Sequence, residues 1–182
     1  LLLSERDALA DARADPPVLL LEDGMGEREA ERGQGVGAGG RRVRAGRLIR
    51  TPALGRLTDD DLPVLAKLDP ACVVDLRDHS ERAVAPPDRL TGTARVVHLP
   101  VYDATYPLFT YGSAVLLGHD LDGYPGLARE GTPAAMAAIY RWFITGDPAR
   151  TGFAEAVRLA TRGENLPLVF HCSAGKDRTG WL

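Results

Sequence analysis

The chain has 182 residues, 45% of them apolar and 26% charged, and a net charge of −3. That length suits one domain with a sizeable core, and the proportions are ordinary for a soluble globular fold. The charge gives no basic surface for nucleic acid, no apolar run approaches the roughly 18 residues of a membrane helix, and Cys72 and Cys172 alone make no disulfide framework.

Residues 1–40 carry the weakest pattern. Ser4–Ala10 suits a short helix start, residues 24–32 are charged, and Gly33–Gly40 is glycine-rich, as in a flexible linker. Gly35-Val36-Gly37-Ala38-Gly39-Gly40 fits G-x-G-x-x-G. No apolar strand precedes it and no helix pattern follows, so it does not signal a dinucleotide site. We expect a poorly defined segment over 1–40 and a folded domain over 41–182.

Residues 42–50 alternate and predict a strand or hairpin, with Arg41, Arg42, Arg44, Arg47 and Arg50 suited to a solvated face first and to anionic lipid headgroups second. Thr58 suits the cap of a helix of about ten residues, with Asp59, Asp60 and Asp61 in its first turn. Ala71–Leu76 reads as a strand with Cys72 in the core. Asp75 at its end is placed to tie down Arg77, and Ser80 suits a helical cap. Val96–Val101 is a further strand, and Asp103 falls on the loop beyond it. Residues 104–131, with Tyr106, Phe109, Tyr111 and Tyr124, follow no regular period. They fit a lid or substrate-binding insertion, or an ordinary surface excursion.

Thr132-Pro133 and Asp147-Pro148 each read as a cap followed by proline in the first turn. Met136, Ile139, Tyr140 and Phe143 share one face of the first helix. Phe153, Val157 and Ala160 share a face of the second, which Gly163 ends. Leu166–Phe170 suits a buried parallel strand. The alternation predicts an α/β fold with a central, mainly parallel sheet flanked by helices.

The most specific signal follows: His171-Cys172-Ser173-Ala174-Gly175-Lys176-Asp177-Arg178-Thr179-Gly180. The loop from Cys172 to Arg178 can close around one tetrahedral anion. Ser173, Ala174, Gly175, Lys176, Asp177 and Arg178 then line it, and the helix starting at Arg178 adds its positive end. Gly175 admits backbone conformations that side chains avoid. Arg178 supplies a planar, charged fork for two phosphate oxygens. The same field favours the Cys172 thiolate, which can attack phosphorus in line. Thr179 can hydrogen-bond the sulfur as it leaves, Lys176 adds a charge, and His171 is placed to orient the loop rather than touch substrate.

Ester cleavage also needs a proton on the leaving oxygen. Asp103 is the first candidate, because ligands gather at the carboxyl ends of parallel strands. Asp177 is the second, as acid or as a partner that orients Arg178. A Cys72–Cys172 disulfide does not fit: four residues of strand span about 13 Å, and the bond needs Cα atoms within roughly 7 Å.

These blocks resemble the cysteine-dependent tyrosine and dual-specificity phosphatase superfamily, and within it the bacterial branch. The likeness runs over 41–182 and rests on the order and spacing of Arg42–Arg50, Leu57–Leu62, Val73–Arg77, His98–Asp103 and the Cys172 loop. It implies phosphomonoester hydrolysis through a cysteinyl-phosphate, with no cofactor and no metal. The implied substrates are proteins phosphorylated on tyrosine, serine or threonine, or phosphoinositides and inositol phosphates, for which Lys176 suits a highly anionic group. It also implies an acid after a comparable strand, at Asp103, or within the loop, at Asp177. The cytoplasm is the default compartment, with secretion of a parent protein left open. The family's Asn-Phe-Arg-Asp-Leu-Gly-Gly-like segment is missing upstream, and its helices continue past the position of Leu182. We therefore expect a C-terminally truncated piece with an atypical start and a weakly supported loop. Sulfur transfer, which does not require Arg178, and non-catalytic phosphate binding are the other uses of such a loop.

Overall fold

A computed structural model describes residues 46–102 and 125–182. Among them, β1 (Leu48–Thr51), β2 (Cys72–Asp75), β3 (Arg95–His98) and β4 (Leu168–His171) form one sheet in the order β1-β4-β2-β3. Every pairing is parallel. The helices are α1 (Leu62–Leu68), α2 (His79–Val84), α3 (Pro125–Thr145), α4 (Asp147–Ala160) and α5 (Asp177–Trp181). The chain thus adopts the α/β class with a parallel central sheet that its pattern predicts.

Central parallel strands are apolar throughout because both faces are covered, and a period of two divides their side chains between those faces. Cys72, Val74 and Leu168 pack with Ile139, Phe143, Phe153 and Ala156 from α3 and α4. Val73 and Val169 point the other way and pack with Ile49, Leu54, Leu65 and Leu68. Each fully buried large apolar side chain contributes about 1.5–3 kcal/mol, so these two layers dominate what holds the sheet. The register sets Thr51, His171, Asp75 and His98 in one row at the carboxyl ends of the strands. The loops that leave this row carry the chemistry.

Several boundaries differ from the sequence expectation. The central strand β4 starts at Leu168 rather than Leu166, because proline has no N–H for a ladder paired on both sides. Pro167 instead offers its carbonyl to the Ala71 N–H at 2.9 Å. Helix α1 starts at Leu62, not after Thr58. A start at Asp59 would put the Pro63 ring against the carbonyl of the preceding turn. The Thr58 N–H and hydroxyl instead donate to the Asp61 carboxylate, both at 2.7 Å. Asp78, not Ser80, caps α2, accepting from the N–H groups of Ser80 and Glu81.

Thr132-Pro133 lies inside α3, which begins at Pro125. Pro125 takes the first-turn position instead, and residues 125–131 are helical where the sequence pattern predicts irregular chain. Gly146 caps α4, with Asp147 in its first turn. This helix buries Ala149, Gly152, Phe153, Ala156 and Leu159 and leaves Val157 exposed. Its inner face joins Phe153 and Leu159 to the small residues Ala149, Gly152 and Ala156, which allow close approach. It ends at Ala160, ahead of Gly163, which starts a 3-10 turn to Asn165. The 1–40 segment, Asp103 and the irregular stretch 104–124 lie outside the described residues. Among the described residues no helix is long and apolar enough to cross a membrane.

Candidate active site

Strand β4 delivers Cys172 to the carboxyl row of the sheet, and α5 begins at Asp177. The loop between them is braced from outside by the exit of β1. The Ala53 N–H donates to the Ser173 carbonyl at 3.1 Å, and Arg50 Nε donates to the Gly175 carbonyl at 2.9 Å. Carbonyls drawn outward leave N–H groups to turn inward, as an anion nest requires. Gly175 has φ +65°, and a Cβ there would lie 2.5 Å from Pro52 N and 2.7 Å from Thr51 C. Both the conformation and the space demand glycine. Cys172 is buried, Ser173 is half-buried, and Ala174 and Lys176 are exposed.

Arg178 is held on three sides. Its Nη1 and Nη2 donate to the two oxygens of Glu81 at 2.6 and 2.7 Å, and Nη1 also reaches the Leu76 carbonyl at 3.5 Å. The Tyr102 ring lies under the guanidinium, 4.2 Å from its carbon. The end of the fork is occupied, and its side is not. Among the described residues no hydrogen bond engages Nε, and Nη2 keeps its second hydrogen. Nε and Nη2 form one edge of the planar group, the edge with which Arg77 grips Asp75 at 2.9 and 2.8 Å. Arg178 therefore offers a two-donor edge of the kind that matches phosphate oxygens.

Glu81 was not singled out in the sequence, and it ties the site together. Besides Arg178, it accepts from the Ser173 hydroxyl at 2.6 Å and from the Asp78 N–H at 3.0 Å. Burial alone would raise its pKa. The Arg178 hydrogen bonds and charge, with those of Ser173 and Asp78, outweigh burial and hold it at about 2. Arg178 shifts the opposite way: burial opposes its charge, and Glu81 more than restores it. A signal for Glu81 was legible: Asp78-His79-Ser80-Glu81 has the spacing of a capping box, which the structure forms in full.

A second buried network floors the loop. Asp75 accepts from the Arg77 N–H at 3.0 Å and from its guanidinium, as expected, and Arg77 Nη2 also reaches Asp88 at 2.8 Å. His171 is fully buried, with Nε2 3.4 Å from Asp88 Oδ2 and Nδ1 3.4 Å from the Cys172 carbonyl. It sits behind the loop, where it can orient it. Burial pushes both carboxyl groups up, but Arg77 and His171 bring Asp75 and Asp88 below the ordinary range. Asp75, Asp88 and His171 have ligand-type atoms within 4.8 Å of one another. Arg77 Nη2 lies 2.8 Å from both carboxylates and Arg82 Nε 3.1 Å from Asp75 Oδ2, so guanidinium groups already balance this cluster and it does not fit a metal ion.

The remaining predicted residues divide. Thr179 is buried beside Arg178, and its hydroxyl has no hydrogen-bond partner among the described residues. The Asp177 carboxylate accepts from the Tyr140 hydroxyl at 2.7 Å. Asp103 itself is outside the described residues, but its neighbour Tyr102 packs on Arg178. Cys72 pairs in register with Leu168, at the far end of β4 from Cys172, and both thiols are free. Burial pushes the Cys72 thiol up, against a smaller opposing effect of Arg95.

The family model described as tyrosine phosphatase family matches residues 31–182. A putative tyrosine-protein phosphatase of Cupriavidus necator is 39% identical over 152 residues, covering 80% of this chain and 48% of that protein. The triple specificity protein phosphatase PtpB of Mycobacterium tuberculosis is 32% identical, covering 77% and 54%. A tyrosine-protein phosphatase of Nostoc commune is 29% identical, covering 76% and 41%. The chain spans about half the length of the curated relatives it matches.

Proposed function

The chain belongs to the tyrosine phosphatase family, and on that premise we propose that it hydrolyses phosphate monoesters, phosphotyrosine in proteins first, through a cysteinyl-phosphate. The observation that carries this is the Arg178 edge, held open by Glu81 and Tyr102 at the end of a loop that starts with Cys172 and has its carbonyls tied outward. The loop N–H groups and the Nε/Nη2 edge hold the three non-bridging oxygens. The Cys172 sulfur attacks phosphorus, and the ester oxygen leaves on the opposite side, taking a proton from an aspartic acid.

Asp103 is the acid we favour, because Tyr102 brings the chain to Arg178 one residue before it. Asp177 is the alternative, on the loop itself. Water then attacks the cysteinyl-phosphate, and the Thr179 hydroxyl, buried and free to donate, stabilises the departing thiolate. No step in this scheme uses a metal. The nucleophile must remain a thiol, so a reducing compartment such as the cytoplasm suits it.

A broader substrate range has one observation behind it: Lys176 stands exposed on the loop beside the anion site. PtpB is named a triple specificity phosphatase. By that likeness we extend the proposal to phosphoserine, phosphothreonine and phosphoinositides. The test is hydrolysis of p-nitrophenyl phosphate in EDTA, comparing the parent with Cys172→Ser. We expect turnover in the parent and none in the serine variant. A parent that binds phosphopeptide without turning it over would instead be a phosphate-binding module. Rates on phosphotyrosine peptides against inositol phosphates then rank the substrates.

A further inference from the structure

We propose that Arg50 is a positioning residue for the anion cradle: its Nε holds the Gly175 carbonyl outward and so keeps an oxygen from turning toward the bound phosphate. The proposal rests on the loop being a phosphate site, as above. Two loop carbonyls are tied to the exit of β1. That of Ser173 is tied by a backbone N–H, of Ala53, at 3.1 Å. That of Gly175 is tied by a side chain, Arg50, at 2.9 Å. Only the second depends on the identity of a residue.

The placement matches a weakness in the loop. Gly175 is its one residue with positive φ, at +65°. Glycine tolerates both signs of φ, so the peptide that follows it is the one the loop can rotate at least steric cost. Rotation would aim a carbonyl dipole at an anion and remove an N–H donor from it. The tether falls on that peptide. Arg50 is fixed for the task by pairing in register with Phe170 of the neighbouring strand, and it is half-buried. Its guanidinium also reaches the first turn of α5, where a Cβ on Gly180 would lie 3.3 Å from Nη1. Among the described residues no carboxylate pairs with it.

Two explanations of Arg50 can be separated by side-chain length. In glutamine, Nε2 stands the same number of bonds from the backbone as arginine Nε, so it can donate the same hydrogen bond without charge. Lysine keeps the charge but carries a methylene at that position. Tungstate affinity by calorimetry, inhibition by inorganic phosphate, and kcat and KM on p-nitrophenyl phosphate should be measured for the parent, Arg50→Gln, Arg50→Lys and Arg50→Met. Tethering predicts that Arg50→Met binds tungstate about tenfold more weakly, the scale of one hydrogen bond from a charged donor. KM and the phosphate inhibition constant should rise more than kcat falls, and Arg50→Gln should stay within about threefold of the parent.

A parent-like Arg50→Met would overturn the proposal. So would Arg50→Gln as weak as Arg50→Met with Arg50→Lys intact, which would leave only long-range charge. Should Arg50→Met fail to fold, the glutamine and lysine variants decide by the same comparison. A parent that binds no tungstate would overturn the phosphate-site reading itself, and this proposal with it.

Discussion

Glu81 and Arg178 lie 97 residues apart and meet through two hydrogen bonds of 2.6 and 2.7 Å. The carboxylate takes the end of the guanidinium and leaves its side to the loop. Removing one partner of a buried pair strands the other, typically at about 3–5 kcal/mol. Glu81→Gln should therefore lower urea-unfolding stability toward that range and reduce kcat/KM at least about a hundredfold, since Arg178 loses its fixed plane. An unchanged kcat/KM in a destabilised protein would show that the loop alone orients Arg178.

Acid should weaken the fold through the same pair. Glu81 takes its proton at about 2 in the folded chain, against an ordinary value of 4.5. Because the unfolded chain protonates first as pH falls, the contribution is whole above pH 4.5 and is lost toward pH 2. It amounts to something on the order of 3 kcal/mol. Asp75 and Asp88, also held low, add in the same direction. Urea midpoints from pH 6 down to pH 3 should fall, and Glu81→Gln should flatten the curve.

Gly175→Ala should fail twice over, in conformation and in space. A positive φ with a side chain, plus a backbone contact near 2.5 Å, requires the loop to move. A loss of about 2 kcal/mol or more in stability is expected, together with loss of most tungstate affinity. Calorimetry and thermal unfolding on one preparation would show both.

The two candidate acids can be told apart by leaving group. The asparagine variant of the true acid should lose the basic limb of the kcat profile. Its rate should also drop far more on phosphotyrosine than on p-nitrophenyl phosphate, whose leaving group needs little protonation. We expect this of Asp103→Asn. If Asp177→Asn shows it instead, the loop carries its own acid, held in wait by Tyr140.

The parallel sheet and the Cys172 loop were legible because both rest on local pattern: apolar runs of strand length, and a fixed spacing around glycine. The aspartate of β2 was placed with Arg77 for the same reason, two residues apart on one strand end. Boundaries were misjudged where proline chemistry or tertiary packing decided them. Pro63 moved the start of α1, Pro167 shortened β4, and α4 turned inward the face of Ala149, Gly152, Phe153, Ala156 and Leu159, leaving Val157 outside. The role of Glu81 was invisible for a different reason. Its capping box is a local signal, but its grip on Arg178 joins positions that no sequence window holds together. Arg50 is the same case: it read as one of several arginines on a solvated strand.

Among the described residues the braces of the loop precede it in the chain, by 92 positions for Glu81 to Ser173 and by 125 for Arg50 to Gly175. During synthesis these partners leave the ribosome well before Cys172 does. The receiving edge can be in place when the loop arrives, and contacts so distant in sequence are otherwise slow to close. Until they close, Cys172 and Arg178 are two residues on a loose string rather than two walls of one cradle. On this reading the cradle is assembled when β4 pairs between β1 and β2.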